Sequence, residues 1–285
     1  MPTFTDAYGV HIHYEAHRVD DPSAVIQLAH GVGEHIGRYR ELIAALNEAG
    51  YSVWADDHRG HGRTGFEQHG GDLDRIGRLG PGGLRATIAA VEQFTDVIRE
   101  AEGDEVPLVL LGHSWGSLMA QIILNRSAVR YDGAVLTGTA YRTLRWMDPG
   151  ERLNRRHRHL GTTGAEWLSR DPAVAEAFVA DPYTTLTPLR RLFGTIDAMR
   201  LLGRPAPAPA IPSELPLLIM VGSDDTLGGE ESARRLAQAY VSRSGLVDVE
   251  VVVYADARHE VFNELNRLEV RDDLIGWLDE RFAVD

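Results

Sequence analysis

The sequence of 285 residues contains no cysteine and no lysine, so all 29 of its basic residues are arginines. Without cysteine the chain has no disulfide bond, no zinc site with thiolate ligands and no cysteine nucleophile. Without lysine it has no P-loop lysine, no Schiff base with a substrate and no serine–lysine dyad. The two absences exclude several classes of catalytic mechanism.

The sequence also lacks an excess of positive charge and any long apolar run. Its formal net charge is −13, and because nucleic-acid binding needs a basic surface, we expect no nucleic-acid partner. Residues 1–17 are polar and contain no apolar core of a signal peptide, and no other stretch is long enough to span a bilayer. We therefore expect a soluble, cytoplasmic protein, with peripheral contact to lipid surfaces as an alternative.

What the sequence does contain is an alternation of short apolar runs and amphipathic stretches of helical length. Apolar runs of this kind suit parallel strands that are covered on both faces, and their alternation with helices implies a mostly parallel, doubly wound α/β sheet. The predicted strands are residues 25–29, 51–55, 107–112, 133–138, 217–222 and 249–254. Helices are predicted at 40–49, at 82–102 and at the C-terminus, and an antiparallel hairpin is predicted at the N-terminus.

One connection is too long for a simple crossover. Residues 139–216 separate two predicted strands, whereas a complete strand–helix–strand unit needs roughly 30 residues. We predict that this segment, called the insertion below, is a helical cap on a core formed by residues 1–138 and 217–285. Arginines outnumber acidic residues in it, and most of its apolar side chains are expected to pack on the sheet while others line an apolar substrate tunnel.

The pattern Gly-His-Ser-Trp-Gly at residues 112–116 follows a predicted strand and precedes a helical run. In that context it is typical of the nucleophile elbow of the α/β-hydrolase fold, where a strained turn pushes the serine hydroxyl into the cleft. The flanking Gly112 and Gly116 let neighbouring backbones pass closely. We predict Ser114 as the nucleophile, and the alternative is a glycine-rich turn with an incidental serine.

A serine nucleophile needs a histidine as general base, and in this fold the histidine comes last in the chain. Three histidines follow Ser114. His157 and His159 lie in the arginine-rich part of the insertion, which favours a solvated cap helix. His259 follows a predicted strand after a short loop, so it is the predicted base.

The base in turn needs an orienting carboxylate, which should follow the predicted strand 217–222. The loop there offers two candidates, Asp224 and Asp225. We favour Asp225, because the acid in this fold commonly stands three residues after the glycine that ends the strand. Asp224 would then serve as a turn or helix-capping residue.

An oxyanion hole requires two backbone N–H donors at the site of the developing charge. One should be the N–H of the residue after the nucleophile, Trp115, and the other should come from the loop after an early strand. The loop 30–35 directly follows the predicted strand 25–29. The N–H of Val32 is therefore the predicted partner of the N–H of Trp115.

Four further motifs accompany the elbow: His-Gly-Val-Gly-Glu-His-Ile-Gly-Arg-Tyr at 30–39, Asp-His-Arg-Gly-His-Gly-Arg-Thr at 57–64, Gly-Ser-Asp-Asp at 222–225 and Ala-Arg-His-Glu-Val-Phe-Asn-Glu at 257–264. With them the sequence resembles the monoacylglycerol lipase and lysophospholipase group of serine hydrolases. The resemblance implies a carboxylic-ester hydrolase with a flexible apolar cap that admits a single acyl chain. It also places the catalytic acid at Asp225, and the substrate would be a small acyl ester cleaved through an acyl-enzyme on Ser114.

Two positions depart from that family. Trp115 stands where methionine is usual, and Ser117 stands where glycine is common. Trp-Gly-Ser after the nucleophile is instead similar to the proline iminopeptidases, which share the fold. Those enzymes carry a His-Gly-Gly-Pro type of oxyanion loop, whereas this chain has Gly-Val-Gly at 31–33. A proline iminopeptidase or another small-ester or amide hydrolase is thus the alternative function.

Two more distant alternatives are a metal-dependent hydrolase and a non-catalytic binding protein. Histidines and aspartates cluster at 30, 35, 56, 57, 58 and 61, and both residue types are good zinc ligands. Their arrangement lacks an established metal-ligand spacing, so we interpret them as bracing the floor of the active site and predict neither a metal nor a cofactor. A non-catalytic protein on this fold usually has an incomplete triad, whereas all three members are present here.

Overall fold

The computed structural model describes residues 1–148 and 150–283, and these form an eight-stranded sheet with the order β1-β2-β4-β3-β5-β6-β7-β8. The strands are β1 (Thr3–Thr5), β2 (His11–His17), β3 (Ala24–Ala29), β4 (Tyr51–Asp56), β5 (Leu108–His113), β6 (Gly133–Thr137), β7 (Leu217–Gly222) and β8 (Val249–Tyr254). In this order the six strands from β4 through β3 to β8 are parallel to one another, whereas β1 and β2 form an antiparallel edge. The predicted mostly parallel sheet with an N-terminal hairpin is confirmed.

Helices cover both faces of this sheet. They are α1 (Arg40–Glu48), α2 (Gly62–Gln68), α3 (Gly83–Glu102), α4 (Trp115–Ser127), α5 (Pro172–Ala180), α6 (Leu189–Arg200), α7 (Gly229–Ala239) and α8 (Arg267–Phe282). The buried side chains of α1 and α8 pack on one face, and those of α3, α4 and α7 pack on the other. Within the described residues, none of these helices combines the length and apolar character needed to cross a membrane.

The central strands are mostly apolar and are buried along their whole length, because both faces of the sheet are covered. Every residue of β3, β4, β5, β6 and β7 is buried. A strand with only one covered face would alternate apolar and polar residues, whereas continuous apolar runs are typical of parallel strands between two helical layers. The covering of both faces therefore explains why these strands could be located from the sequence.

The direction in which the chain adds strands reverses beside β3. From β3 the chain moves to β4 on one side, and from β5 it moves through β6 and β7 to β8 on the other. The carboxyl ends of parallel strands open a crevice at such a reversal, where ligands bind in open α/β sheets. The loops after β3, β5, β7 and β8 all lie at this end of the sheet, and they carry the residues predicted for catalysis.

The insertion connects β6 to β7 and has little regular structure besides α5 and α6. Gly194 has a φ of 80° inside α6 and breaks that helix into two parts. A small apolar cluster packs within the insertion, formed by Ala165, Leu168, Ala175 and Phe178. The solvated helix predicted around 155–159 is wrong: the segment forms turns. His157 is buried there, and its Nε2 lies 3.6 Å from the carboxylate of Asp224.

A buried carboxylate of α6 ties the insertion to the core. Asp197 accepts a hydrogen bond from the backbone N–H of Leu84 at 2.9 Å, so it caps the first turn of α3. Gly83 has a φ of 54°, and a Cβ at this position would collide with the Asp197 carboxylate. The start of α3 therefore depends on a side chain from the insertion for one of its amide groups.

Candidate active site

Ser114 lies in the sharp turn between β5 and α4 that the sequence predicted. Its backbone has φ 52° and ψ −122°, a region that L-residues rarely occupy and that strains the chain. A Cβ at Gly112 would lie 2.7 Å from the carbonyl oxygen of Gly116, and one at Gly116 would collide with the carbonyl oxygen of Ala29. The two glycines are thus required for α4 to start this close to the ends of β3 and β5.

His259 and Asp225 form a buried pair at the ends of β8 and β7. The Nδ1 of His259 lies 3.0 Å from both carboxylate oxygens of Asp225, and both side chains are almost completely buried. Asp225 also accepts a hydrogen bond from the N–H of Leu227 at 2.8 Å, which fixes its orientation. The Nε2 of His259 has no hydrogen-bond partner among the described residues. The pair therefore leaves one imidazole nitrogen free to exchange a proton.

The charges around His259 favour its protonated form. Burial lowers the pKa of His259, but the carboxylate of Asp225 and the nearby charges of Glu260 and Glu34 outweigh burial, so the pKa lies above its ordinary value. The neighbouring His113 behaves in the opposite way, because burial and the charge on His259 lower its pKa to about 3. His113 is therefore neutral at physiological pH.

Asp224, the other candidate acid, points to the insertion. Its carboxylate lies 2.6 Å from Nη1 of Arg156 and 3.6 Å from Nε2 of His157. Its backbone N–H donates to the carbonyl oxygen of Ala257 at 2.9 Å. The structure thus brings Asp225, and not Asp224, into contact with His259.

The two predicted oxyanion donors flank Ser114. A Cβ built on Gly31 would stand 3.1 Å from the Cβ of Ser114, so the loop after β3 runs directly beside the nucleophile. Val32 follows in this loop and lines the same cavity as Ser114 and Trp115. Trp115 opens α4, and the amides of a first helical turn have no acceptor within their own helix. The arrangement suits two N–H groups that converge on one developing negative charge.

These side chains lie on the wall of a cavity of about 320 Å³ that both the core and the insertion line. Ser114 and His259 contribute the groups that can react. The rest of the wall is mostly apolar and includes Leu118 and Leu227 from the core and Met147, Phe178, Leu189 and Leu202 from the insertion. Of the apolar side chains that the sequence placed in the insertion, some line this cavity, whereas Leu160 is 53% exposed and does not.

The side chain of Trp115 joins the floor of the site to the insertion. It is 1% exposed, and its ring lies 4.9 Å from the ring of Phe193 in α6 and 5.1 Å from that of His61. A residue of this size after the nucleophile therefore forms part of the contact between core and insertion as well as part of the cavity wall.

The histidines and aspartates after β3 and β4 brace the floor through hydrogen bonds. Nδ1 of His30 lies 2.7 Å from the carbonyl oxygen of Gly31, and its Nε2 accepts from the N–H of His58 at 3.0 Å. Burial lowers the pKa of His30 well below its ordinary value and that of His61 to about 3, so both are neutral. In the part of the chain that the structure describes, no group of three or more such side chains is arranged to hold a metal ion.

Beside the site lies a buried ion-pair network that no sequence motif had indicated. Arg38 bridges Glu34 and Glu260, and all three side chains are at most 9% exposed. Glu34 and Arg38 stand four residues apart, a spacing at which opposite charges pair on a helical turn. The Glu34–Arg38 pair could therefore have been suspected from the sequence. Glu260 comes 222 residues later, and no local pattern links it to Arg38.

The strand order, the serine at a strand-to-helix elbow and the aspartate–histidine pair after β7 and β8 define an α/β-hydrolase. A family model described as serine aminopeptidase, S33, matches residues 20–266. The chain is 33% identical to the monoacylglycerol lipase of Mycolicibacterium smegmatis, over 97% of this chain and 95% of that protein. It is 26% identical to the human monoglyceride lipase, over 92% of this chain and 84% of that protein.

Among solved structures, a thermostable carboxyl esterase from Bacillus coagulans superposes with a TM-score of 0.85 at 23% identity, covering 99% of this chain and 98% of the esterase. A likeness at this identity shows the shared fold. The chain belongs to the serine aminopeptidase S33 family, in the group that contains the monoacylglycerol lipases. The resemblance seen in its motifs is confirmed, and the protein is a carboxylic-ester hydrolase.

Proposed function

We propose that the protein hydrolyses lipid esters with a single acyl chain, of the monoacylglycerol or lysophospholipid type, through an acyl-enzyme on Ser114. His259 is the general base, Asp225 orients it, and the N–H groups of Val32 and Trp115 form the oxyanion hole. The observation that carries the proposal is the pairing of His259 with Asp225 through Nδ1, which leaves Nε2 unpartnered on the wall of an apolar cavity that also contains Ser114.

The chemistry follows from these positions. Nε2 of His259 takes the proton of the Ser114 hydroxyl as the oxygen attacks the ester carbonyl carbon. The carbonyl oxygen becomes an oxyanion and accepts hydrogen bonds from Val32 and Trp115, while Asp225 stabilises the imidazolium. Collapse of the tetrahedral intermediate breaks the bond to the alcohol, which leaves with the proton from His259. Water, activated by the same imidazole, then releases the fatty acid and restores Ser114.

The insertion supplies the preference for an acyl chain. In this proposal residues 139–216 are a cap on a core of residues 1–138 and 217–285, and the acyl chain lies between the two. The support is the composition of the cavity wall, where apolar side chains of the insertion face those of the core. Burying a methylene group in such a cavity contributes about 0.8 kcal/mol, which favours longer chains up to the length of the cavity.

Hydrolysis of a substrate panel tests this function. Purified protein is assayed with monoacylglycerols of increasing chain length, lysophospholipids and proline amides, and Ser114→Ala serves as the blank. We expect the monoacyl esters to give the largest kcat/KM, with kcat in the blank lower by about 10⁵- to 10⁶-fold. Faster hydrolysis of proline amides than of any ester would instead support the iminopeptidase alternative, and full activity in the blank would refute the role of Ser114.

We also propose that the protein works in the cytoplasm and contacts lipid surfaces through the mouth of the cavity. Three apolar side chains of the insertion are strongly exposed: Leu144 (79%), Ile196 (70%) and Met199 (63%). Leu144 and Met199 also line the cavity, and arginines outnumber acidic residues in the insertion. Sedimentation with vesicles is expected to increase with anionic lipid content and to decrease in Ile196→Asp. Vesicle binding that does not depend on anionic lipid content would contradict the proposed attraction between the arginines of the insertion and anionic lipids.

A further inference from the structure

We propose that Glu34, Arg38 and Glu260 form a positioning unit that holds the oxyanion loop and the His259 loop in the geometry needed for ester hydrolysis. The inference rests on the proposed function of Ser114 and His259. It assigns a role to a network that contacts neither reacting atom of the triad. Its basis is a continuous chain of buried, charge-assisted hydrogen bonds that joins the loop after β3 to the loop after β8.

The first arm of the unit fixes the oxyanion loop. Oε1 of Glu34 accepts a hydrogen bond from the N–H of Gly31 at 2.6 Å and another from the hydroxyl of Tyr39 at 2.6 Å. The peptide that follows Gly31 carries the N–H of Val32. Since Gly31 runs beside Ser114, a small rotation of this loop would displace the Val32 donor from the position of the developing oxyanion. Glu34 therefore sets the direction of that donor without touching the substrate carbonyl group.

The second arm reaches the histidine loop. Nε of Arg38 donates to Oε2 of Glu34 at 3.1 Å, and Nη2 donates to both carboxylate oxygens of Glu260, at 2.8 and 2.5 Å. Glu260 is the residue after His259, and its own N–H donates to the carbonyl oxygen of Leu168 in the insertion at 2.8 Å. A shift of either loop would break bonds between buried charges, which are costly to leave unpaired.

The insertion also contacts this unit. The guanidinium carbon of Arg38 lies 4.7 Å from the ring centroid of Phe178, a buried residue of the insertion that lines the cavity. A planar guanidinium group can stack on an aromatic ring while its edge donates to carboxylates. The unit thus connects the oxyanion loop, the histidine loop and the insertion.

The unit carries one net negative charge beside the imidazole. Two carboxylates surround one guanidinium group, and this charge adds to that of Asp225 in raising the pKa of His259. The other titratable neighbour that faces His259 is the neutral His113, with the ring of Trp167 packed at 4.6 Å on the imidazole. Removing the charge of Glu34 should therefore lower the pKa of His259.

Glu34→Gln tests the unit, because glutamine keeps the shape but loses the charge and faces the donors of Arg38 or Tyr39 with an NH₂ group. We expect kcat on a soluble p-nitrophenyl ester to fall about ten- to hundredfold, as misplaced catalytic groups cause, with KM changed less than about threefold. The affinity for a trifluoromethyl ketone, which forms a tetrahedral adduct with the serine, should fall by the same factor as kcat/KM. The acid limb of the pH profile of kcat/KM should move to lower pH, because the pKa of His259 is lower without the charge of Glu34.

Glu102→Gln is the matched control. Glu102 is 5% exposed at its side chain, like Glu34, and it pairs with Arg18 and accepts a hydrogen bond from Trp54 far from the cavity. We expect this variant to be destabilised but to keep the wild-type kcat, inhibitor affinity and pH profile. Equal kinetic losses in both variants, or a Glu34→Gln enzyme with unchanged kcat and acid limb, would overturn the proposal.

A double variant tests whether the residues act together. If Glu34 and Glu260 form one unit, Glu34→Gln/Glu260→Gln should lose little more activity than either single variant, because the first change already breaks the chain. Additive losses would overturn the unit. Should Glu34→Gln not fold, Tyr39→Phe removes only one hydroxyl from Glu34 and should lower kcat about two- to tenfold, and an unchanged kcat would count against the proposal. The proposed function is tested separately, by the activity of the wild type and its loss in Ser114→Ala. If that test succeeds and the Glu34 variants behave like wild type, only the positioning unit is refuted.

Discussion

The core and the insertion use opposite means to form one site. In the core, strands buried at every residue end in the loops that carry Ser114, Asp225 and His259. The insertion supplies none of these three residues, but it supplies much of the apolar cavity wall from a segment whose own buried cluster contains only a few side chains. Backbone geometry fixes the chemistry in the core, whereas replaceable side chains of the insertion fix the fit to substrate.

The largest effect is expected where the core carries the chemistry. Ser114→Ala should reduce kcat by about 10⁵- to 10⁶-fold, because the nucleophile is removed. The control is Ser117→Ala in the same turn, where the hydroxyl donates to the Ser114 carbonyl oxygen at 2.6 Å but has no chemical role. This control should stay within about tenfold of wild type. Steady-state hydrolysis of p-nitrophenyl esters measures both, and comparable losses in the two variants would contradict the assignment.

The next largest effect distinguishes Asp225, which contacts His259, from its neighbour Asp224, which faces the insertion. Asp225→Asn should lower kcat about 10³- to 10⁴-fold, because an amide cannot stabilise the imidazolium and favours the wrong tautomer. Asp224→Asn only weakens a partly exposed pair with Arg156, so kcat should change less than about threefold. The same kinetic assay decides, and the reverse ranking would move the catalytic acid to Asp224.

The pH dependence of stability should arise mainly from the core. His61 and His113 have a pKa of about 3 in the folded protein because burial disfavours their charged forms, whereas both take up protons near pH 6.5 when unfolded. The unfolded state thus binds more protons below pH 6.5, and each histidine lowers the free energy of unfolding by about 1.4 kcal/mol per pH unit as the pH falls toward 3. Urea unfolding between pH 7 and 5 measures this slope.

His61→Gln should flatten that slope, since it removes one of the buried histidines whose pKa is lowered in the folded protein. His157→Gln, a change in the insertion, provides the comparison: burial and Arg258 also lower the pKa of His157, but the neighbouring Asp224 carboxylate opposes the shift. We expect the slope to flatten less in this variant. An unfolding free energy that does not depend on pH between 6.5 and 5 would disprove the argument for the core histidines.

The smallest effect is expected at the mouth of the cavity. Met199→Ala should lower kcat/KM about three- to tenfold for long-chain soluble esters and leave acetate esters unchanged, because it removes apolar surface that only a long chain contacts. Ile196 stands on the same helix and is similarly exposed, but it does not line the cavity. Ile196→Ala should leave both substrates unaffected. An equal response of acetate and long-chain esters to Met199→Ala would remove this side chain from the acyl path.

The parts of the fold that could be predicted from sequence are those that local patterns determine. Five consecutive strands between helical layers produce continuous apolar runs, and the strained turn at Ser114 requires glycines at fixed offsets, so both leave a signal in a few adjacent residues. The positions predicted for the triad and the oxyanion loop are indeed neighbours in space, although their catalytic roles stay predictions until the variants above are assayed.

The remaining features depend on contacts between distant parts of the chain. The turns around His157 resemble a solvated, basic helix in sequence, yet His157 is buried and lies close to Asp224, which is remote in the chain. The bond between Arg38 and Glu260 likewise joins two loops that are remote in the chain. Tertiary contacts of this kind override local propensity, and no periodic pattern records them.

The cap on α3 has a consequence for how the molecule unfolds. Asp197 belongs to the insertion, yet the amide it satisfies belongs to a twenty-residue helix of the core. Loss of the insertion would leave that helix with an unsatisfied terminus, so neither region can melt without raising the free energy of the other. Heating should therefore produce a single cooperative transition, with matching calorimetric and van't Hoff enthalpies, even though the two regions differ so strongly in regular structure.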